Sequence, residues 1–151
     1  MATPRSIRFE SGTVDKLARY TARHPGMTQS SAAALLVEEA LRMEDHPGVV
    51  FRDGPAGRRP ALMAGPDVWE VVRAIRDVRA AEPKASADEV IEVVCDVASL
   101  TRPVVQVAVS YYGEFPEEIN AMIEAADDAE ADAQRQLSAA QHLLEPPARR
   151  Q

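Results

Sequence analysis

The sequence has few of the residues on which secreted and membrane proteins depend. Its 151 residues include one cysteine, Cys95, so no disulfide can form within the chain and we expect a reducing compartment. No apolar run approaches about 18 residues, and the chain does not open on a charged segment followed by an apolar one. Both observations predict a cytoplasmic protein with no membrane partner. Aromatic residues make up only 5%, which favours close-packed helices over a thick aromatic core.

Clusters that would carry chemistry are also missing. His24, His46 and His142 lie far apart in the sequence, beside no cysteine or acidic cluster, whereas a metal site needs several converging ligands. The segment 54–57 has glycines but lacks the lysine and hydroxyl residue of a phosphate-binding loop. Cys95 lies among valines and is expected to be a small buried hydrophobe. We therefore predict a binding protein without a cofactor rather than an enzyme, and leave open a catalytic pair among the plentiful carboxylates.

Charge is distributed unevenly along the chain. Residues 1–65 carry nine basic and seven acidic side chains, a net charge of +2. Residues 66–151 carry eight basic and seventeen acidic side chains, a net charge of −9, and the whole chain is at −7. A mildly basic head on an acidic body indicates two different partners.

Hydrophobic periodicity predicts a mainly α chain in four parts. Residues 1–45 comprise a short alternating segment and two amphipathic helices, and residues 46–65 form a β-hairpin arm rich in proline and glycine. Residues 66–140 form a helical domain that contains a helix-turn-helix, and residues 141–151 form a flexible tail. Pro66 is expected at a first helical position, and Gly113 is expected to end a helix.

The first part has the layout of a ribbon-helix-helix dimer, in which strands from two chains pair and enter the major groove of DNA. Ile7 and Phe9 would lie in the shared core, while the alternating polar residues face the bases. Two features depart from that pattern, since Glu10 puts an acid on the reading face and the second helix lacks a Ser-Arg-Ser opening. The alternative is an ordinary helical hairpin with a frayed start. The residues predicted to contact DNA here are Arg5, Ser6 and Arg8 on the strand and Thr28, Gln29 and Ser30 at the second helix N-terminus.

Residues 86–112 predict a helix-turn-helix, because two capped helices flank a short break at residues 98–100. Ser86 and Glu89 form a capping box for the first helix. Arg102 and Gln106 lie on a polar stripe of the second helix and are candidate DNA contacts. The alternative is a solvated face of a packed domain, which is favoured by the acidic residues on the preceding helix.

The last predicted helix is acidic before its first basic residue, Arg135. One interpretation is a solvated face that aids solubility. The other is an electrostatic contact for a basic partner protein. The residues predicted to make that contact are Glu124, Asp127, Asp128 and Glu130.

Four segments carry a resemblance to a known family. They read HPGVVFRDGPAGRR (46–59), GPDVWEV (65–71), VQVAVSYY (105–112) and PEEI (116–119). Together they resemble the small winged-helix antitoxin domain of the VapB type, over roughly residues 46–123. The resemblance implies an antitoxin that binds a PIN-like ribonuclease toxin and represses its own promoter.

The leading hypothesis is therefore a homodimeric antitoxin and repressor, with DNA and the toxin as partners. Residues 1–45 would dimerise and read DNA, and residues 46–140 would bind the toxin. Two alternatives stay open: a stand-alone transcriptional regulator without a toxin, and an interaction scaffold that does not bind DNA.

Overall fold

The computed structural model describes residues 6–54, 57–63 and 65–144. These residues form six helices and one antiparallel hairpin, so the chain is mainly α, as the periodicity predicts. The elements are α1 (Ser11–Ala22), α2 (Gln29–Asp45), β1 (Val49–Gly54), β2 (Gly57–Leu62), α3 (Val68–Ala81), α4 (Ala87–Ala98), α5 (Arg102–Glu114) and α6 (Pro116–Leu144). The chain divides into two compact units between Asp45 and His46.

The first unit is a pair of helices joined by a tight turn. After α1 the chain reverses at Gly26, whose φ of +87° is readily adopted only by a residue without a side chain. Thr28 then caps α2 reciprocally with Ser31. The Ser31 backbone N–H donates to Thr28 Oγ1 at 3.1 Å, and the Thr28 N–H donates to Ser31 Oγ at 2.9 Å. A second helix beginning after Thr28 is what the sequence predicts.

Few apolar side chains of the first unit are covered. Leu17 on α1 and Ala32 on α2 are buried, whereas large hydrophobic residues of both helices stay exposed. Residues 6–10 precede α1 without regular secondary structure. A strand requires a partner, and the sheet in the described residues consists of β1 and β2 alone. The intermolecular ribbon therefore stays a prediction.

The second unit begins with the predicted hairpin. β1 and β2 pair antiparallel from Val49 opposite Leu62 to Gly54 opposite Gly57. Gly57 has a φ of +101°, a conformation that suits glycine at the turn. Val49 and Leu62 anchor the hairpin in the core that the helices form, and they are 2% and 1% exposed.

Helix α3 lies at the centre of the second unit and packs against β2, α4, α5 and α6. A helix with neighbours on several sides needs a wide apolar face, and α3 buries Val68, Val71 and Val72. One continuous core results. Its buried members are Val49, Leu62, Val68, Val71, Val72, Val94, Val105, Ala108, Tyr111, Ile119 and Ile123.

The start of α3 differs from the expectation that Pro66 opens the helix. Asp67 is the N-cap, and it forms a capping box with Glu70, whose carboxylate accepts the Asp67 backbone N–H at 2.7 Å. Asp67 also accepts a hydrogen bond from Trp69 Nε1 at 3.3 Å and pairs with Arg59 on β2. The Asp67 carboxylate therefore contacts both the hairpin, through Arg59, and the first turn of α3, through Trp69.

Helices α4 and α5 are joined by a three-residue turn, and their assignment to a helix-turn-helix motif stays a prediction. The predicted capping box is present, with Ser86 N–H donating to Glu89 at 2.6 Å and Glu89 N–H donating to Ser86 Oγ at 3.3 Å. Ser99 adopts a left-handed conformation at the C-cap of α4, with a φ of +54°. Thr101 is at the N-cap position of α5, as expected, but its side chain makes no cap hydrogen bond.

The prediction that Gly113 ends a helix is wrong, because α5 continues through it to Glu114. A glycine inside a helix costs only about 1 kcal/mol, and packing on both sides of Gly113 exceeds that cost. Tyr111 is fully buried, and its ring lies 4.7 Å from that of Phe115. His46 joins this corner, since its Nε2 lies 2.8 Å from Glu114 Oε2 and its ring contacts both aromatic rings edge-on.

The last helix is longer than the sequence suggests. Residues 141–144, which were expected to belong to the tail, continue α6 as far as Leu144. The remaining residues of the predicted tail, 145–151, lie outside the described part of the chain. Ile119 and Ile123 anchor the beginning of α6 in the core, whereas residues 127–143 are all exposed. The apolar side chains of α6 therefore pack only near its beginning, since Ala133 and Leu137 face solvent.

Candidate nucleic-acid interface and partner surface

The residues predicted to read DNA bases lie ahead of α1. Arg5 is outside the described residues, and Ser6 and Arg8 are exposed. The residues that alternate with them are also open to solvent, with Ile7 65% and Phe9 41% exposed. Of the described residues in this segment, those that would face DNA and those that would pack against a second copy are therefore accessible in the single chain.

The second group predicted to contact DNA lies at the beginning of α2. Thr28 is occupied by its reciprocal bonds to Ser31, whereas Gln29 and Ser30 follow it as exposed first-turn residues. The first N–H groups of a helix have no acceptor within that helix. The backbone amides of Gln29 and Ser30 thus have the geometry that a phosphate contact requires.

Helix α1 carries three cations on one face, here named the basic stripe: Lys16, Arg19 and Arg23. They are spaced three and four residues apart, which aligns them on a helix, and Arg23 retains helical dihedral angles at the C-cap. All three are exposed, and none forms an ion pair with another described residue. Arg8 is likewise without an ion pair in the described part of the chain.

The arginines of the second unit differ, because every one in its described residues has a polar partner in the same unit. Arg52 on β1 donates to the carbonyl oxygens of Leu62 at 2.5 Å and of Gly65 at 3.2 Å. On α3, Arg73 and Arg76 both reach other helices. The remaining members of the set are Arg58 with Asp53, Arg59 with Asp67, Arg79 with the Ala85 carbonyl, Arg102 with Asp88, and Arg135 with Asp132.

Arg102, a candidate DNA contact on α5, lies between two carboxylates of α4. Its guanidinium donates to Asp88 at 2.7 Å and lies 3.7 Å from Glu92. The hydrogen bond to Asp88, supported by the charge of both acids, raises the pKa of Arg102. Gln106 is exposed on the same helix. The predicted recognition face therefore carries an arginine that is already neutralised from within the domain.

The acids of α6 fall into two kinds. Arg73 on α3 holds two of them, through paired bonds of 2.7 and 2.6 Å to Glu130 and a contact of 3.2 Å to Asp127. The bond from Arg73 lowers the pKa of Glu130 and in turn raises that of Arg73. Glu124 and Asp128 are exposed and form no ion pair with a described residue. Of the four predicted partner-binding acids, two are thus available to another molecule.

Two features of the structure, one in each unit, were not predicted from the sequence. The basic stripe was visible as an i, i+3, i+7 spacing of cations, but counting charge in the first residues does not show which of them share a face. The cluster of Arg59, Asp67 and Trp69 had no such signal, because it depends on how the hairpin lies against the start of α3.

Three further features of the described residues bear on other functions. They contain no group of three or more histidine, cysteine or acidic side chains that could hold a metal ion. A cavity of about 390 Å³ at the junction of α5 and α6 is lined by residues 114–118, which supply three carboxylates and the ring of Phe115. No helix in this part of the chain combines the length and apolar character needed to span a bilayer.

Comparison of the chain with models of protein families, with curated proteins and with solved structures found no match.

Proposed function

We propose that the chain is a cytoplasmic homodimeric antitoxin that binds its own operator and holds a PIN-like ribonuclease toxin. The observation that carries this proposal is the difference in free surface between the two units. In the described residues, the first unit has cations without ion pairs and uncovered apolar side chains, whereas every arginine of the second has a polar partner and its acidic helix is exposed. The first surface suits an anion and a second copy, and the other suits a basic protein.

Dimerisation follows from the exposed segment ahead of α1. If residues 6–10 of two copies pair as antiparallel strands, Ile7 and Phe9 leave water on one face of the ribbon. Ser6 and Arg8 then lie on the opposite face. Arg8 is the strongest candidate for reading a base, since a guanidinium donates two parallel hydrogen bonds to the edge of guanine.

The toxin would bind the exposed acids of α6. A ribonuclease must attract RNA, so the rim of its active site is expected to be basic. An acidic helix laid over that rim raises the association rate and adds specificity. Glu124 and Asp128 are the residues that supply this charge without giving up an internal bond.

The DNA part of the proposal is tested by comparing two arginine variants on the duplex upstream of the gene for this chain, at matched salt. Arg8→Ala should lose about 1–3 kcal/mol of binding free energy on the preferred site. Arg102→Ala is the matched control and should bind as the parent does, because Arg102 already donates to Asp88. Equal binding by Arg8→Ala and the parent, or a greater loss in Arg102→Ala, would reject the ribbon as the reading element. Light scattering that shows a monomer at micromolar concentration would reject the dimer.

The toxin part is tested with the product of the adjacent gene as the ligand. The double variant Glu124→Gln, Asp128→Asn should associate more slowly, with a weaker dependence on salt, and should keep its fold. Its matched control is Asp127→Asn, Glu130→Gln, which removes the same charge from acids that Arg73 holds. Unchanged association in the first variant would make the acids a solvated face. DNA binding by the parent with no affinity for the adjacent gene product would favour the stand-alone regulator.

A further inference from the structure

We infer that the basic stripe of α1, Lys16, Arg19 and Arg23, is a second contact with duplex DNA that holds the phosphate backbone without reading sequence. This inference rests on the proposed function, since it gives the DNA-binding unit a surface beyond the ribbon and the start of α2. The three side chains follow one line along α1 and are all exposed.

The dimensions of the stripe match those of a nucleic-acid strand. At about 1.5 Å per residue, the seven steps from Lys16 to Arg23 extend about 10 Å along the helix. Successive phosphates of one DNA strand rise about 3.4 Å along the duplex axis, so the stripe can face about three of them. The buried residue of α1, Leu17, follows Lys16 and is rotated from it by about 100°. The stripe therefore lies beside the face that packs within the unit, which also includes the half-buried Tyr20.

The cations of the stripe form no ion pair with another described residue, although Asp15 is on the same helix. Every arginine in the described part of the second unit has a polar partner, and Arg42 in the first unit pairs with Glu38 at 3.0 Å. Lys16, Arg19 and Arg23 share the absence of an ion pair with Arg8 and Lys84, but only these three are aligned on one helix face among the described residues, in a chain whose net charge is −7. Three aligned cations without internal partners complement a row of anions, and a phosphate backbone is such a row.

The surroundings of the stripe favour a duplex over two other polyanions. A helix that lies on a membrane inserts large apolar residues beside its cations, but the large apolar residues of α1 nearest the stripe are Leu17, which is buried, and Tyr20. Single-stranded nucleic acid is usually held by exposed aromatic rings on which bases stack. The ring of Tyr20 is already stacked on His24, with centroids 4.0 Å apart and an angle of 19° between the planes.

The test measures binding of a short random-sequence DNA duplex by the full chain as salt is raised from about 50 to 200 mM. Lys16→Gln, Arg19→Gln, Arg23→Gln should lower the slope of log affinity against log salt by about 2.7, since each phosphate contact contributes about 0.9. Binding of the upstream duplex should weaken by the same factor. Arg8→Ala should instead weaken only the upstream duplex. Circular dichroism checks that the triple variant keeps its helices.

A charge-matched pair of single variants provides the control. Arg19→Gln should lower the slope by about 0.9, whereas Arg42→Gln removes the same charge from a paired arginine and should leave it unchanged. If the parent binds DNA and the triple variant has the parental slope, the stripe is not a contact and the proposed function survives. If the parent binds neither duplex, both the DNA contact of the stripe and the DNA-binding part of the proposed function are rejected. Tighter binding of the parent to single-stranded RNA or to vesicles of anionic lipid than to the duplex would overturn the assignment of the stripe to DNA.

Discussion

The two units of this chain use the same residue types for different purposes. In the second unit, arginines join elements to one another: Arg59 ties β2 to the start of α3, Arg73 ties α3 to α6, and Arg102 ties α5 to α4. In the first unit, Arg8 and the basic stripe make no such connection. An arginine count for the whole chain would therefore misjudge its affinity for anions. What matters is how many guanidinium groups the fold has left without a carboxylate.

The two units also differ in how many apolar side chains they bury. The second unit buries valine, isoleucine, leucine and tyrosine side chains in one continuous core. The first unit buries Leu17 and Ala32, and leaves Val37 47% and Leu41 57% exposed on α2. Of the eleven large hydrophobic residues that are exposed in the described part of the chain, six lie in the shorter first unit. Because exposed apolar area is costly in water, a second copy that covers this unit would stabilise it.

The largest expected effect tests the contrast between the two sets of apolar residues. Ile119→Ala removes a fully buried side chain and should lower the free energy of unfolding by about 2–5 kcal/mol. At a protein concentration where light scattering shows a single chain, Leu41→Ala on the exposed face of α2 should change the free energy of unfolding by less than about 0.5 kcal/mol. Urea unfolding followed by circular dichroism measures both variants, since helices of both units contribute to that signal. Equal shifts would show that the two units do not differ in this way.

A smaller effect is expected from the arginines, and it separates structural from free guanidinium groups. Arg59→Ala takes away an ion-pair partner of Asp67, which is only 7% exposed, and should cost about 1–3 kcal/mol of unfolding free energy. Arg19→Ala removes an unpaired group and should stay within about 0.5 kcal/mol. The same unfolding assay applies. The contrast fails if Arg19→Ala destabilises the protein as much as Arg59→Ala does.

Local order in α6 should respond to Arg73 more than overall stability does. Without Arg73, Glu130 and Asp127 lose the bonds that hold them to α3, while Ile119 and Ile123 remain in the core. Arg73→Gln should therefore speed amide hydrogen exchange around residues 127–130 and leave exchange near Ile119 unchanged. Lys84→Gln removes the same charge without an ion pair in the described residues and is the control. Uniform exchange along α6 in the two variants would contradict a role for Arg73 in holding this helix.

Local signals predicted much of the second unit. The turn-rich segment between two apolar runs marked the hairpin, and the pair of Ser86 and Glu89 marked the beginning of α4, because these patterns depend only on neighbouring residues. Gly113 was misjudged because the local cost of a helical glycine is smaller than the gain from burying Tyr111. Tertiary packing determines where α5 ends, and such packing cannot be predicted from a few neighbouring residues.

The candidate site was predictable to a lesser degree. The alternation around Arg8 and the acids of α6 could be identified from spacing and charge. The neutralisation of Arg102 by Asp88 could not, since the two residues are fourteen positions apart and meet only through the turn between α4 and α5. The same holds for Asp127 and Glu130, whose partner Arg73 is on another helix. Which charges remain free depends on tertiary contacts between elements.

The smallest expected effect concerns a charge at the beginning of α4. The backbone and side chain of Ser86 both hydrogen-bond to Glu89, and they lower the pKa of its carboxyl. A carboxyl whose pKa is lower in the folded protein adds stability above its unfolded pKa, and that stability is lost as the pH falls through the folded value. Since an unperturbed glutamate titrates at about 4.3, the loss is expected on the acid side of that value.

Glu89→Gln isolates this contribution, because glutamine can still accept the bonds of the capping box but carries no charge near the helix N-terminus. The variant should melt at a slightly lower temperature than the parent at neutral pH, and the difference should disappear as the pH falls through the lowered pKa. At that acidity the parent carboxyl is protonated and resembles the glutamine. Glu124→Gln serves as the control, since Glu124 is exposed in the middle of α6. A melting difference for Glu89→Gln that persists unchanged at low pH would mean that the hydrogen-bond geometry of the cap, rather than its charge, stabilises the helix.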